Sequence, residues 1–457
     1  MRRIEVPPRP NHLRLVQSQG LPYSTPSYWP DDHYYSFTKA EMELVKKAGE
    51  DVFQMCCEAA DYLVEHPDVI TSDMAIPAFT LRQIKKSWDR EPAWASVYAR
   101  FDLCFGGLDH PDPALRTPRF YEFNADTPTC LVEAALIQAY WLEQTGHGND
   151  QWNDIYPRLV EAWKRNLTLV EKEIGHKVPF VHFATAKGDC DGEEAINTVL
   201  LAQSCRDAGW PTRSMAIEQV SLSPVDGRFY DQLGDHIDVI FKLYPYEFMV
   251  NEKFGEACFR DMDNVDGTVW IEPPYKMLWS NKALFALLWK LFEHDPRSRW
   301  LLPTYLERDA PASLTSYARK PIYSREGLGI SLQQDGRVVQ EQCVNCMYGK
   351  EGYIIQGLAA PPEFIDSQGK SRYAVLGLWF IDGEPAGLGV READSLITND
   401  YTPFVPHSIS DGPICYTRHK MPDSDEIEAA LKVDQYACVQ DGADVLAYIE
   451  SVVAMVF

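Results

Sequence analysis

The chain has 457 residues, 45% of them hydrophobic, with 67 Asp and Glu against 43 Lys and Arg and a formal net charge of −24. That length can bury a sizeable core and suggests two to three structural units. The acidic balance argues against a nucleic-acid partner, which selects for a basic face or stripe, and the most apolar helical stretch, around Leu284 to Phe292, is too short to span a bilayer and contains Lys290.

The proline-rich start through residue 37 reads as an extended surface arm, and the absence of a signal-peptide pattern there predicts a cytoplasmic protein. Thr38-Lys39-Ala40-Glu41 has capping-box form, and Met42, Val45, Val52 and Phe53 continue a helical stripe behind it. A first part of the protein is expected over residues 38–175. Two short period-two strands fall within it, Tyr98-Ala99-Arg100-Phe101-Asp102-Leu103 and Arg119-Phe120-Tyr121-Glu122-Phe123-Asn124. Alternation puts Arg100 with Asp102 on one face, and Glu122 with Asn124 on one face. If the strands lie side by side, Asp102, Glu122 and Asn124 make an oxygen-only cluster with Arg100 at its edge. Hard oxygen ligands suit Mg²⁺, which usually takes its remaining oxygens from water and substrate phosphates.

Thr127-Pro128 reads as an N-cap followed by proline at the first helical position, opening a helix that runs to about Gln144 and stops at Gly146. Free N–H groups at that helix start would face an anion beside the oxygen cluster. From Val178 the pattern turns α/β: a strand to Ala184, a helix from Glu193 to Asp207, a strand from Arg213 to Ile217 and another from Ile237 to Leu243. This predicts a βαβ-like unit over residues 176–270, with Asp189, Asp191, Glu193 and Glu194 clustered at a strand end and helix start, where acidic groups favour the helix dipole and where α/β sheets also bind ligands. The remainder, 271–457, is dominated by antiparallel strands. Asn281 caps a helix containing Lys282, Tyr317 to Pro321 is a strand that leads into the loop Ser324 to Gly329, and Asp335-Gly336 and Asp382-Gly383 are hairpin turns.

Eleven cysteines in a long chain without a secretory pattern imply reduced thiols, and the lone Cys343-x-x-Cys346 lacks a second pair at zinc spacing. Gly369-Lys370-Ser371 is not a P-loop, because Phe364 stands where its first glycine is required. No G-x-S-x-G, H-E-x-x-H or G-x-G-x-x-G pattern is present. What remains is a set of parts for phosphate chemistry without a P-loop: strand-borne lysines, a glycine loop and carboxylates for Mg²⁺.

Arg100-Phe101-Asp102, Tyr121 to Thr127 and Gly192-Glu193-Glu194 resemble the synthetase domain of the glutathionylspermidine synthase family. The resemblance extends through Ser280 to Ala283, Lys320-Pro321, Gly389-Val390-Arg391 and Ser395-Leu396-Ile397. It implies an α/β (α+β) architecture of permuted ATP-grasp type with a pre-ATP-grasp-like substrate domain, and ATP with two Mg²⁺ ions as cofactors. Carried over to this sequence, Asp102, Glu122 and Asn124 become metal ligands and Arg100 the catalytic cation. Arg100, Phe101 and Asp102 would also border the nucleotide, Lys282 and Lys320 would bind its phosphates, and Gly327 would lie in the covering loop. Gln356 to Leu358 would border the adenine and Arg391 would close the site. Thr127, Glu193 and Glu194 would contact substrate.

The activity implied is an acid–amine ligase that joins a small carboxylate, a peptide or amino acid, to an amine, with no nucleic-acid or membrane partner. Phe248 stands where the family carries a small hydroxyl residue, so the expected substrates are not glutathione and spermidine. A nucleotide-binding sensor or scaffold of the same fold is the alternative, and retention of the full metal set argues against it. A glycosidase built on Glu122 and Asp102 would leave the lysines and the glycine loop without a purpose.

Overall fold

A computed structural model describes residues 1–90, 96–188, 192–342 and 347–411, so Asp189, Asp191 and the Cys343/Cys346 pair lie outside the described residues. Three larger sheets organise the chain. The central one is antiparallel and runs Phe404–Val405, Glu384–Ala393, Ser371–Ile381, Tyr98–Cys104, Arg119–Asn124, with Glu363–Ile365 beside the start of its longest strand. It therefore draws strands from both ends of the sequence. Alternation sorts its two faces. Phe101, Phe123, Leu378 and Phe380 are buried on one side against the long helix Lys39–Glu65. Phe101 stacks on Phe123 at 3.7 Å, and Phe53 of the helix stacks on Phe380 at 5.1 Å. The polar residues of the same strands are left to form the opposite face.

The helix starts where its capping box predicts: Thr38 Oγ1 accepts from the Glu41 N–H, and the Glu41 carboxylate accepts from the Thr38 N–H at 2.8 Å. A four-stranded parallel sheet, ordered Val269–Ile271, Val239–Leu243, Val181–Thr185, Thr212–Ala216, carries the helix Glu193–Asp207 between two of its strands. The two inner strands, Val181–Thr185 and Val239–Leu243, are buried along their whole length, as parallel strands covered on both faces are, with the polar His182 and Lys242 buried among them, while the edge strand Thr212–Ala216 is half-buried. A five-stranded antiparallel sheet holds Tyr317–Pro321 and Tyr353–Gly357 side by side, with the hairpin Ser331–Gln334 and Arg337–Glu341 at its edge. Asp335 and Asp382 both take positive φ beside a positive-φ glycine, the backbone a two-residue hairpin turn demands.

Two expectations fail. Residues 1–37 are not simply an extended arm. Arg2–Glu5 pairs with His33–Phe37, which runs parallel to His407–Ile409, and His12–Ser18 is a short helix. The prolines fall between these elements, where they cost no ladder bond, and His33, Tyr35 and Phe37 alternate inward. Nor does a helix open at Thr127. Residues 127–130 are irregular, Cys130 takes a φ of 66°, and the helix begins at Leu131, whose N–H donates to Asn197 Oδ1 at 2.8 Å. A cap reaching across from the helix Glu193–Asp207 replaces the local one, so the anion site expected at Thr127 does not form there.

Candidate active site

The polar face of the central sheet is the floor of a cleft of about 470 Å³. Its register places Asp102 directly opposite Glu122, and Arg100 opposite Asn124. Two like charges face to face destabilise a sheet unless cations intervene. Here they do. Arg100 grips Asp102 with both arms of its fork, Nε to Oδ1 at 2.7 Å and Nη2 to Oδ2 at 2.9 Å, and its Nη1 donates to the Thr129 carbonyl at 2.6 Å. Lys282 Nζ lies 3.1 Å from Glu122 Oε2. Burial pushes the Glu122 carboxyl up, but Lys282 and Lys320 outweigh it and hold it below the usual range.

Lys320 stands on the strand Tyr317–Pro321 of the five-stranded sheet, buried, with Nζ donating to Gln356 Oε1 at 2.7 Å. Burial lowers its ammonium to about 8, with Glu122 pulling it up and Lys282 down. Lys320, Gln356 and Leu358 line a second, smaller recess that opens onto Asp102, Glu122 and Lys282. Lys282 precedes the helix Ala283–Phe292 rather than lying within it, and Asn281 Oδ1 caps that helix at the Ala283 N–H. The Lys282 Nζ also donates to the Ser324 carbonyl at 2.7 Å, which ties it to the glycine loop. Gly327 has a φ of 72°, and a Cβ there would lie 2.5 Å from the Thr398 carbonyl, so the loop rests against residues 397 and 398 as only glycine allows.

The far wall comes from the parallel sheet. Glu193 and Glu194 open the helix at the strand ends, and Thr127, Glu247 and Phe248 line the same cleft. Arg325 of the glycine loop reaches Glu194 Oε1 at 3.4 Å. Burial and the nearby Asp126 raise the Glu247 carboxyl. Arg391 enters from the strand Glu384–Ala393, donating to Cys130 Sγ at 2.8 Å and to the carbonyls of Thr402 at 2.8 Å and Asn399 at 3.0 Å. It forms no ion pair among the described residues. Every expected site residue except Phe101 lines the cleft or the recess. The Phe101 ring turns into the core, because period two sends it away from its neighbours Arg100 and Asp102.

Sequence reasoning passed over several participants. Asp126 Oδ1 accepts from Lys242 Nζ at 2.8 Å and Oδ2 from the Tyr246 N–H at 2.8 Å, a buried link from the oxygen-bearing strand to the Pro245–Phe248 wall. Gly377 and Gly389 pair across adjacent strands of the floor. A glycine inside a strand is itself a signal of close approach, and that signal was present at both positions. Arg325 carried none beyond its place in the loop.

The family described as glutathionylspermidine synthase preATP-grasp matches residues 3–410. The chain belongs to that family. A Haemophilus influenzae protein named "Putative acid--amine ligase" is 30% identical over 418 residues, covering 88% of this chain and 97% of that one. A bifunctional glutathionylspermidine synthetase/amidase of Escherichia coli is 25% identical over 86% of this chain, which spans only 61% of the bifunctional protein's length. A trypanothione synthetase of Crithidia fasciculata is 24% identical over 75% of the chain and 52% of its own. Among solved structures, a glutathione synthetase-like effector of Globodera pallida in its apo form shares the fold, with a TM-score of 0.51 at 9% identity over 89% of this chain and all of that one.

Proposed function

We propose that the protein joins a small carboxylic acid to an amine through an acyl phosphate, using ATP and Mg²⁺ on a permuted ATP-grasp fold with the parallel sheet as substrate domain. The enzyme class, an ATP-dependent carbon–nitrogen ligase, rests on the named relatives and the family. The observation that carries the finer reading is convergence. One cleft and the recess beside it gather an oxygen-only set, two buried lysines, three arginines and a glycine loop, with a pair of glutamates opposite.

Asp102, Glu122 and Asn124 would hold the metal, whose oxygen preference their donor atoms match. Mg²⁺ bound there would neutralise charge on the transferring phosphoryl group. Lys282 and Lys320 would bind phosphate oxygens as point charges, and the Ser324–Gly329 loop would exclude water above them. In the first step a carboxylate oxygen of the acid attacks the γ-phosphorus, the bond to the β,γ-bridging oxygen breaks, and ADP carries that electron pair. Arg100, fixed by three hydrogen bonds, stabilises the equatorial oxygens. In the second step the amine nitrogen attacks the acyl carbon, phosphate leaves, and the amine proton passes to solvent or phosphate. Arg391 has a half-buried charge without a carboxylate partner among the described residues, and it would bind the anionic end of the acid. Glu193, Glu194 and Thr127 would orient the substrates, and Phe248 narrows the pocket in which the acid lies.

The test is ADP release with pooled acids and amines, beginning with glutathione and spermidine, followed by mass spectrometry for an amide product. Arg100→Ala should cut Mg²⁺-dependent ADP release by about 10³-fold while the protein stays folded. An active Arg100→Ala enzyme removes Arg100 from the chemistry. Tight ATP binding without turnover under every pairing would favour a sensor.

A further inference from the structure

Behind the cleft wall, the N-terminal segment makes contacts that packing alone does not explain. Glu133 is fully buried in the π-helical turn Glu133–Ile137, and its Oε1 accepts two tyrosine hydroxyls from that segment, Tyr28 at 2.5 Å and Tyr23 at 2.9 Å. Burial first, and then the surrounding acidic groups, hold both phenols well above their ordinary range, so they remain donors. The second Glu133 oxygen has no hydrogen-bond partner among the described residues. The Tyr28 hydroxyl also lies 3.8 Å from Cys130 Sγ, the atom that accepts from Arg391, and the Arg391 guanidinium stands 5.9 Å from the Tyr28 ring centroid.

The same short segment supports the neighbouring wall. The Tyr28 carbonyl accepts from the Phe404 N–H at 2.9 Å, and Trp29 stacks on Phe404 at 5.8 Å. Phe404 lines the cleft beside Arg391. Trp29 Nε1 in turn donates to Asp31, which Arg9 holds in a buried ion pair.

Arg391 thus has an unusual balance. Burial opposes its charge, while Cys130, Tyr28, Glu193 and Glu133 hold its proton on. A carboxylate in direct contact would neutralise the guanidinium; here its N–H groups go to neutral partners, Cys130 Sγ and the carbonyls of Thr402, Asn399 and Asp400, and the carboxylates stand one residue further back, Glu193 at 3.8 Å from Cys130 Sγ and Glu133 through Tyr28, so the net positive charge stays available to an anion. We propose that the N-terminal segment is the back wall of the active site, in which Tyr28 and Tyr23 are positioning residues that hold Glu133 behind Cys130 and so set the placement of Arg391 toward an anionic substrate group. The proposal rests on the assignment of Arg391 as the anion-binding arginine.

The experiment reads the arginine itself and needs no turnover. The folded full-length protein is treated with phenylglyoxal, with and without inorganic phosphate as the anion probe, and modification at Arg391 and Arg100 is followed by peptide mass spectrometry. Tyr28→Phe removes one hydroxyl and should speed modification of Arg391 by about fivefold, the scale of one buried hydrogen bond. Phosphate protection at Arg391 should weaken by a similar factor. Arg100, held by Asp102 and Thr129, should react at its original rate. Glu133→Gln should act like Tyr28→Phe, and the double variant should add little to Glu133→Gln; if Glu133→Gln does not fold, Tyr23→Phe takes its place. Unchanged Arg391 labelling in these variants overturns the proposal, as does equal acceleration at Arg100, which would signal general loosening. A protein that shows the selective effect but never forms an amide would sink the ligase reading and leave the back wall standing.

Discussion

Replacing Gly377 with alanine would test the geometry of the proposed phosphoryl-transfer centre with a single methyl group. Gly377 lies on the cleft floor, in register with Asp102 on one side and Gly389 on the other. It is not among the positive-φ glycines, so alanine can adopt its backbone without strain. Its Cβ would sit 3.0 Å from Arg100 Cδ and 3.5 Å from Nε. Arg100 must therefore yield by a few tenths of an ångström, while three bonds of 2.6 to 2.9 Å hold its head in place. Losing glycine from a strand is worth about 0.5–1 kcal/mol in favour of folding, close to offsetting the crowding. Turnover should respond much more strongly, since a 1 Å misplacement in an active site can cost about 100-fold. We expect the urea midpoint of Gly377→Ala to stay near wild type, Mg²⁺-dependent ADP release to fall about 10- to 100-fold, and the KM for ATP to move little. Wild-type turnover would refute the argument. So would a loss of turnover that tracks a loss of stability.

Nucleotide affinity should weaken as pH rises past about 8, where Lys320 gives up its proton, by at most about tenfold per pH unit. Lys320→Arg should flatten that profile, which titration calorimetry with a non-hydrolysable nucleotide would show, and a flat wild-type profile would contradict it. The linkage has the opposite sign for folding: between about 8 and the unfolded value of 10.5 the unfolded chain binds the proton more tightly, so this residue's contribution to stability rises with pH. Lys242→Met, which strands the buried Asp126 carboxylate, should cost about 3–5 kcal/mol in urea unfolding, and adding Asp126→Asn should recover part of that loss; strict additivity would show that the two are not coupled. Phe248→Ser should open the proposed acid pocket and raise glutathione-stimulated ADP release, and an unchanged glutathione response would clear Phe248 of excluding that peptide.

What the sequence carried clearly was parity. Arg100, Asp102, Glu122 and Asn124 alternate with Phe101 and Phe123, and alternation alone sends one set to the cleft and the other into the core. The same rule corrects the reading of Phe101, whose place in a motif between two cleft residues suggested a nucleotide contact its ring cannot make. Hairpin turns and the capping box were equally legible, because their causes lie within a few residues.

Features decided by distant partners were not legible. Thr127-Pro128 has the local form of a helix start, yet Arg100 fixes the Thr129 carbonyl and Asn197 caps Leu131, so the chain stays irregular along the cleft for three further residues. The link between Asp126 and Lys242 spans 116 residues, and that between Arg325 and Glu194 spans 131. In the proposed reading both join the phosphate side of the cleft to the substrate side. On that reading their separation in sequence has a functional consequence: a local pattern would specify how a phosphoryl group is held, since the oxygen set and Arg100 lie on neighbouring strands, whereas substrate choice would depend on how the parallel sheet is docked against them. Relatives at 24–30% identity can therefore share the first and differ in the second. That division places the search for this protein's acid and amine at Glu194, Arg325, Glu247 and Phe248, away from the motifs that identify the family.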